Sequence, residues 1–153
     1  IMALINLLYL ADRQALLETG FPITGDRMVS MPHGPVLSQI YDQVNWGRGE
    51  IWSSCLSERN NHNISLINNT PSTEKMSLYE IELLDKIHKE FGGLDRFQLR
   101  DLTHTLPEWK DPQGSSFPIE PETIFREAGR SDQEIKRLVQ EAEEVYFLST
   151  LAD

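Results

Sequence analysis

Apolar residues dominate the first eleven positions, from Ile1 to Ala11, and Asp12, Arg13, Gln14 and Glu18 then continue the same helical spacing. A first half that is apolar all round predicts a helix over residues 1–19 at the centre of the core, with Gly20 as the residue that ends it. Residues 26–31, Asp-Arg-Met-Val-Ser-Met, alternate polar and apolar positions and predict a short strand. Gly34-Pro35 predicts the start of a second helix, because proline is preorganised for the first helical position. Its apolar positions Val36, Leu37, Ile40, Tyr41 and Val44 recur at helical spacing as far as Trp46-Gly47.

Residues 47–76 have a different texture. Gly47, Gly49 and the asparagines Asn60, Asn61 and Asn63 punctuate two short apolar stretches, Ile51 to Leu56 and Ile64 to Ile67. These predict a hairpin turning near Asn60-Asn61, which with residues 26–31 would make a small three-stranded antiparallel sheet. Pro71 and Ser72-Thr73 read as a linker. Ser77 to Glu80 has the form of a capping box, opening a helix whose buried stripe is Ile81, Leu84, Ile87 and Phe91 and which Gly92-Gly93 ends. A short helix over 95–105 follows, opened by Asp95, and then a loop over 107–121 with four prolines. Pro121 opens a helix to Ala128. A second capping box at Ser131–Glu134 opens the last helix, to about Ser149, along Ile135, Leu138, Val139, Ala142 and Tyr146. The expected class is α+β and mainly α-helical: about five to six helices around a central N-terminal helix, with a two- or three-stranded antiparallel sheet.

At 153 residues the chain is expected to be one domain, residues 1–153, and the abrupt start at Ile1 predicts native chain upstream of it. A formal charge of −10 weighs against direct nucleic-acid binding, which depends on Lys and Arg neutralising phosphates. The one cysteine, Cys55, excludes an intramolecular disulfide and a cysteine-rich zinc module, which fits a reducing cytoplasm. The apolar start is too short to span a bilayer, so no membrane association is expected.

Candidate chemistry is sparse. His33, Cys55, His62 and His104 show no zinc-type spacing, and no nucleophile elbow or phosphate-binding glycine loop occurs. No metal, cofactor or catalytic residue is therefore expected. Tyr9 and Arg13 share a helix face one turn apart. Asp12, Arg13, Asp26 and Arg27 form two charged pairs at the edges of apolar segments. Structurally, they would tie the helix end to the turn at 24–27 through hydrogen-bonded ion pairs; functionally, they would form a polar recognition patch. The structural reading is preferred, because such groups are seldom buried unpaired. Trp46, Trp52, Trp109 and Phe117 fall outside clean helical stripes. Trp109 is expected to pin the proline-rich loop, and Trp52 is the better interface anchor. Glu141, Glu143 and Glu144 read as a solvated face or as a contact for a basic partner.

Leu7-Leu8-Tyr9-Leu10-Ala11-Asp12-Arg13, Pro22-Ile23-Thr24-Gly25-Asp26-Arg27 and His33-Gly34-Pro35-Val36 occur in that order, with Leu102-Thr103-His104 through Trp109-Lys110 much later. The series resembles the Panacea domain of SocA-like antitoxins, a family that includes phage-associated GepA-like proteins. The resemblance is strong from residue 4 to about 46 and weaker from 77 to 127. It implies an antitoxin of a bacterial or phage toxin–antitoxin pair, a non-enzymatic protein that neutralises a cognate toxin by direct binding. Alternatives are a proteolytic adaptor that delivers the toxin to a cytoplasmic protease, and a hydrolase using Asp12, Arg13 and Asp26. A homodimer within a toxin complex is left open. The family's recurrent positions map onto Tyr9, Asp12, Arg13, Gly25, Asp26, Arg27, Gly34, Pro35, His104 and Trp109, mostly as scaffold. One scaffold that meets many toxins would choose among them elsewhere, so Arg48, Ile51, Trp52 and, in the proline-rich loop, Trp109 are the expected partner-binding residues.

Overall fold

A computed structural model of the chain describes residues 1–46, 50–57, 59–67 and 72–151; the side chains at 50, 51, 149 and 150 lie outside the description. In chain order the elements are α1 (Met2–Thr19), β1 (Met28–Met31), β2 (Gly34–Leu37), α2 (Ser38–Trp46) and α3 (Glu50–Cys55). There follow α4 (Leu78–Phe91), α5 (Arg96–His104), β3 (Phe117–Pro118), α6 (Pro121–Glu127) and α7 (Asp132–Thr150).

The all-round apolar character of α1 has a direct structural counterpart, since the helix feeds three separate clusters. Tyr9 and Leu16 pack with Met28, Leu37, Ile124 and Phe125; Leu10, Ala11 and Ala15 with Leu83, Ile87 and Leu99; and Ile5 with Val36 and Val44. The helix ends at Gly20, whose φ of 84° is the left-handed conformation that glycine supplies. Ser77 and Ser131 make the predicted capping boxes, and Asp95 makes another with Gln98. On α4 the most buried positions are Leu83 and Ile87, so the stripe sits slightly to one side of the predicted one. On α7, Ile135 is buried and Leu138, Val139 and Ala142 are half-buried, whereas Tyr146 is exposed because the helix outruns the core.

Two predicted elements change. Gly34–Leu37 is not the first turn of a helix but a strand, antiparallel to β1 with Met31 opposite Gly34 and Met28 opposite Leu37. The adjacent apolar residues Val36 and Leu37 satisfy either period, and both are buried. Pro35 is tolerated because β2 is an edge strand in a sheet ordered β2-β1-β3. The helix starts only at Ser38. Its cap comes from Asp26, far back in the chain, whose carboxylate accepts from the amides of Gln39 and Ile40 at 3.0 Å each. No local signal marks that start.

The predicted hairpin is the other change. Residues 50–55 are helical, and among the described residues the pairing survives as isolated bridges, Leu56 with Leu66 and Asn60 with Asn63. The third strand is instead β3, drawn from the proline-rich loop, with Ser30 opposite Phe117 and Val29 opposite Pro118. A two-residue strand ending in proline carries no alternation to read. Arg48 and Pro71 lie outside the described residues. Among the described residues no helix is long and apolar enough to cross a membrane.

Candidate interaction site

Tyr9, Asp12 and Arg13 leave one stretch of α1 in two directions. Tyr9 and Arg13 converge on Glu108, whose side chain is wholly buried. The Tyr9 hydroxyl donates to Glu108 Oε1 at 3.0 Å, and Arg13 donates from Nε to Oε1 and from Nη2 to Oε2 at 2.5 and 3.1 Å. Both carboxylate oxygens are thus held in a two-point fork. Burial first, and then the Glu108 charge, push the Tyr9 phenol above its ordinary range, so it remains a donor.

Asp12, 1% exposed, turns the other way. It accepts from the amides of Ile23 and Thr24 at 3.1 Å and from the Thr24 hydroxyl. Burial pushes its carboxyl up, and those three hydrogen bonds work against that shift. The expected tie between helix end and turn therefore exists, but backbone amides and a hydroxyl make it rather than ion pairs. The ion pair of Arg13 runs to Glu108 instead. Asp26 caps α2, and Arg27 is exposed, its amide donating to Asp26 Oδ1.

The glycines complete this polar frame. Gly25 turns the chain with a φ of 65°. Gly34 has a φ of 110°, and a Cβ there would lie 2.6 Å from Thr103 Oγ1. Pro35 is buried beside it. His104 stacks on Trp109 with ring centres 3.8 Å apart, and Trp109 Nε1 donates to the Met31 carbonyl at 3.1 Å. The loop after α5 is thereby pinned to β1. Burial, and then the Arg100 charge, hold His104 below its ordinary value.

This frame holds itself together rather than presenting reactive groups. Asp12, Arg13 and Asp26 are each engaged by the fold. Among the described residues no group of three or more His, Cys, Asp or Glu side chains is placed to hold a metal ion.

A contrasting surface is built from α2, α3 and the 59–67 turn. Trp46 and Ile67 are 69% and 52% exposed, large apolar groups at the rim of a groove of about 520 Å³, and the neighbouring Leu66 is 59% exposed. Trp52, Leu56 and Ile64 line its floor. Trp52 is half-buried against the cluster of Ile5, Val36 and Val44, so it anchors the floor rather than projecting from it. Arg59 is held on the rim by bonds to the Asn61 carbonyl and Asn45 Oδ1. Ile51 lies on α3 with its side chain outside the description, and Arg48 is outside it altogether. The far end of α7 exposes Val145, Leu148 and Leu151 as well.

Glu108 and the projection of Trp46 are not among the features predicted from the amino-acid sequence. The first had a usable signal: an Arg13 on a helix face shared with Tyr9, beside a core, needs a buried counter-charge. The second had none, since exposure of one tryptophan depends on where α2 stops.

A family model described as antitoxin SocA-like, Panacea domain, matches residues 4–110. No curated protein and no solved structure matches the chain.

Proposed function

The chain belongs to the family of SocA-like antitoxins that carry the Panacea domain, and from that premise we propose that it neutralises a cognate toxin in the cytoplasm by direct protein–protein binding, without catalysing a reaction. The proposed contact is the face formed by α2, α3 and residues 59–67. The observation that carries it is the exposure of Trp46 and Ile67 on a groove of mixed apolar and polar lining, with Leu66 exposed beside it. Tryptophan is enriched among residues that dominate binding energy, and a groove flanked by polar groups is the surface that excludes water around such an anchor. Trp52 packs against the apolar cluster of Ile5 on α1 and Val36 on β2, which ties this face to the core.

The partner-binding role of Arg48, Ile51 and Trp52 belongs to the same proposal, with Trp46 as the anchor whose removal perturbs the core least. Trp109 enters it as the pin that fixes the loop to β1.

The test is growth rescue. The protein is co-expressed with the toxic product of its adjacent open reading frame, in cells with and without the host's cytoplasmic proteases. Rescue in both backgrounds, lost on Trp46→Ala with Ile67→Glu while the protein stays folded, is the expected result. Rescue that depends on a protease would replace neutralisation by occlusion with delivery for degradation. Full rescue by the double variant would remove this face from the proposal.

A further inference from the structure

A second cavity, of about 630 Å³, opens where the first turn of α1 meets the β1–β2 turn, the 59–63 turn and the start of α5. Its volume is in the range of sites for small organic ligands. Its chemistry runs against the rest of the molecule. The chain carries 24 Asp and Glu against 14 Lys and Arg, yet among the described lining residues there is no carboxylate, while Arg59, Arg96, His33 and His62 all face the space. The guanidinium of Arg59 is held in place by its bonds to Asn61 and Asn45. That of Arg96 lies 4.6 Å over the Phe97 ring.

The second observation is independent of charge. Asn6 forms part of the cavity wall and is 1% exposed, and its Nδ2 has no hydrogen-bond partner. A buried amide donor left unpaired is costly in the ligand-free protein. The remaining wall is mostly apolar or aromatic, with Val36, Tyr41 and Phe97, and includes the amides Asn45 and Asn63.

We propose that this cavity binds a small organic anion, a phosphate or carboxylate carried on an apolar or aromatic body. Arg59 and Arg96 meet the anionic group, Asn6 donates to a second oxygen, and the body lies against Tyr41 and Phe97. Guanidinium groups suit either anion, because their donors form a planar fork. The site does not depend on the antitoxin reading and is tested without any toxin.

Calorimetric titration of the isolated protein with AMP, hexanoate, adenosine, hexanol and inorganic phosphate separates the contributions. The expected result is that AMP or hexanoate binds one to one with a Kd below about 1 mM, and which of them binds tells phosphate from carboxylate recognition. Its uncharged counterpart should bind at least roughly tenfold more weakly, and Arg96→Ala should weaken the anion by a similar factor. Asn6→Leu should weaken binding without lowering the melting temperature of the ligand-free protein, since it removes an unpaired donor and keeps the branched shape of the side chain. Absence of binding by both organic anions, equal binding of the uncharged compounds, or an unaltered affinity in Arg96→Ala would each overturn the proposal. Inorganic phosphate matching AMP would overturn its claim that the organic body is recognised.

Discussion

The polar frame around α1 and the exposed face around α2 and α3 are built on opposite terms. In the frame, Glu108 meets Tyr9 and Arg13, Asp12 meets Ile23 and Thr24, and Asp26 meets Gln39 and Ile40. Every one of these contacts joins residues distant in the chain, so each fixes one segment against another. On the face, strand pairing among the described residues is limited to isolated bridges, and large apolar side chains stand in solvent. The difference teaches where change is tolerated. Replacing one member of the frame strands a buried charge or donor, whereas replacing an exposed rim residue of the groove should leave the fold intact.

The largest expected effect is in the frame. Glu108→Ala leaves Arg13, only 17% exposed, beside an emptied site, and should lower unfolding free energy by about 3–5 kcal/mol in denaturant titration. Arg13→Ala together with Glu108→Ala should cost less than the sum of the two single changes. Additive costs would mean that the pair is not coupled, and the comparison would lose its firmest member.

Next comes Gly34→Ala. A φ of 110° alone makes a side chain there cost roughly 1–3 kcal/mol, and the approach to Thr103 Oγ1 adds to it. Thr103→Ala should recover the steric part and leave the backbone part, read as a partial return of the melting temperature. A smaller loss, about 1–2 kcal/mol, is expected for Asp26→Ala, since it removes the cap of α2. Amide exchange should quicken first at Gln39 and Ile40. Because α2 carries Trp46, this variant sharpens the contrast by showing how far the face depends on its support.

The smallest effect is a pH dependence. His104 in the folded protein titrates below its ordinary value of 6.5, so the unfolded chain takes up the proton more readily. The stability it contributes is complete above pH 6.5 and is lost as pH falls through the lowered value. His104→Phe keeps a ring against Trp109 and should flatten the acid-side slope of melting temperature against pH. An unchanged slope would assign it to other groups.

Legibility from the amino-acid sequence follows the same division. The central helix, the capping boxes at Ser77 and Ser131 and the class of fold could be read because their signals are local: apolar spacing, and a side chain three residues from the amide it caps. The strand at Gly34–Leu37 and the start of α2 were hidden because pairing with β1 and the cap from Asp26 come from elsewhere in the chain. The third strand was hidden by its prolines. That Asp12, Arg13 and Asp26 would be engaged by the fold could be anticipated from their places at the edges of apolar segments, but Glu108 as the partner of Arg13 could not, since it lies far away in the chain.

The central claim is that the frame supports and the face binds. Hydrogen exchange of the protein, free and in complex with the toxin from its adjacent reading frame, addresses it most directly. Protection gained on complex formation should concentrate in residues 43–46, 52–57 and 59–67, with residues 9–27 little changed. Protection confined to residues 9–27 or to the end of α7, with 43–67 unaltered, would contradict the account.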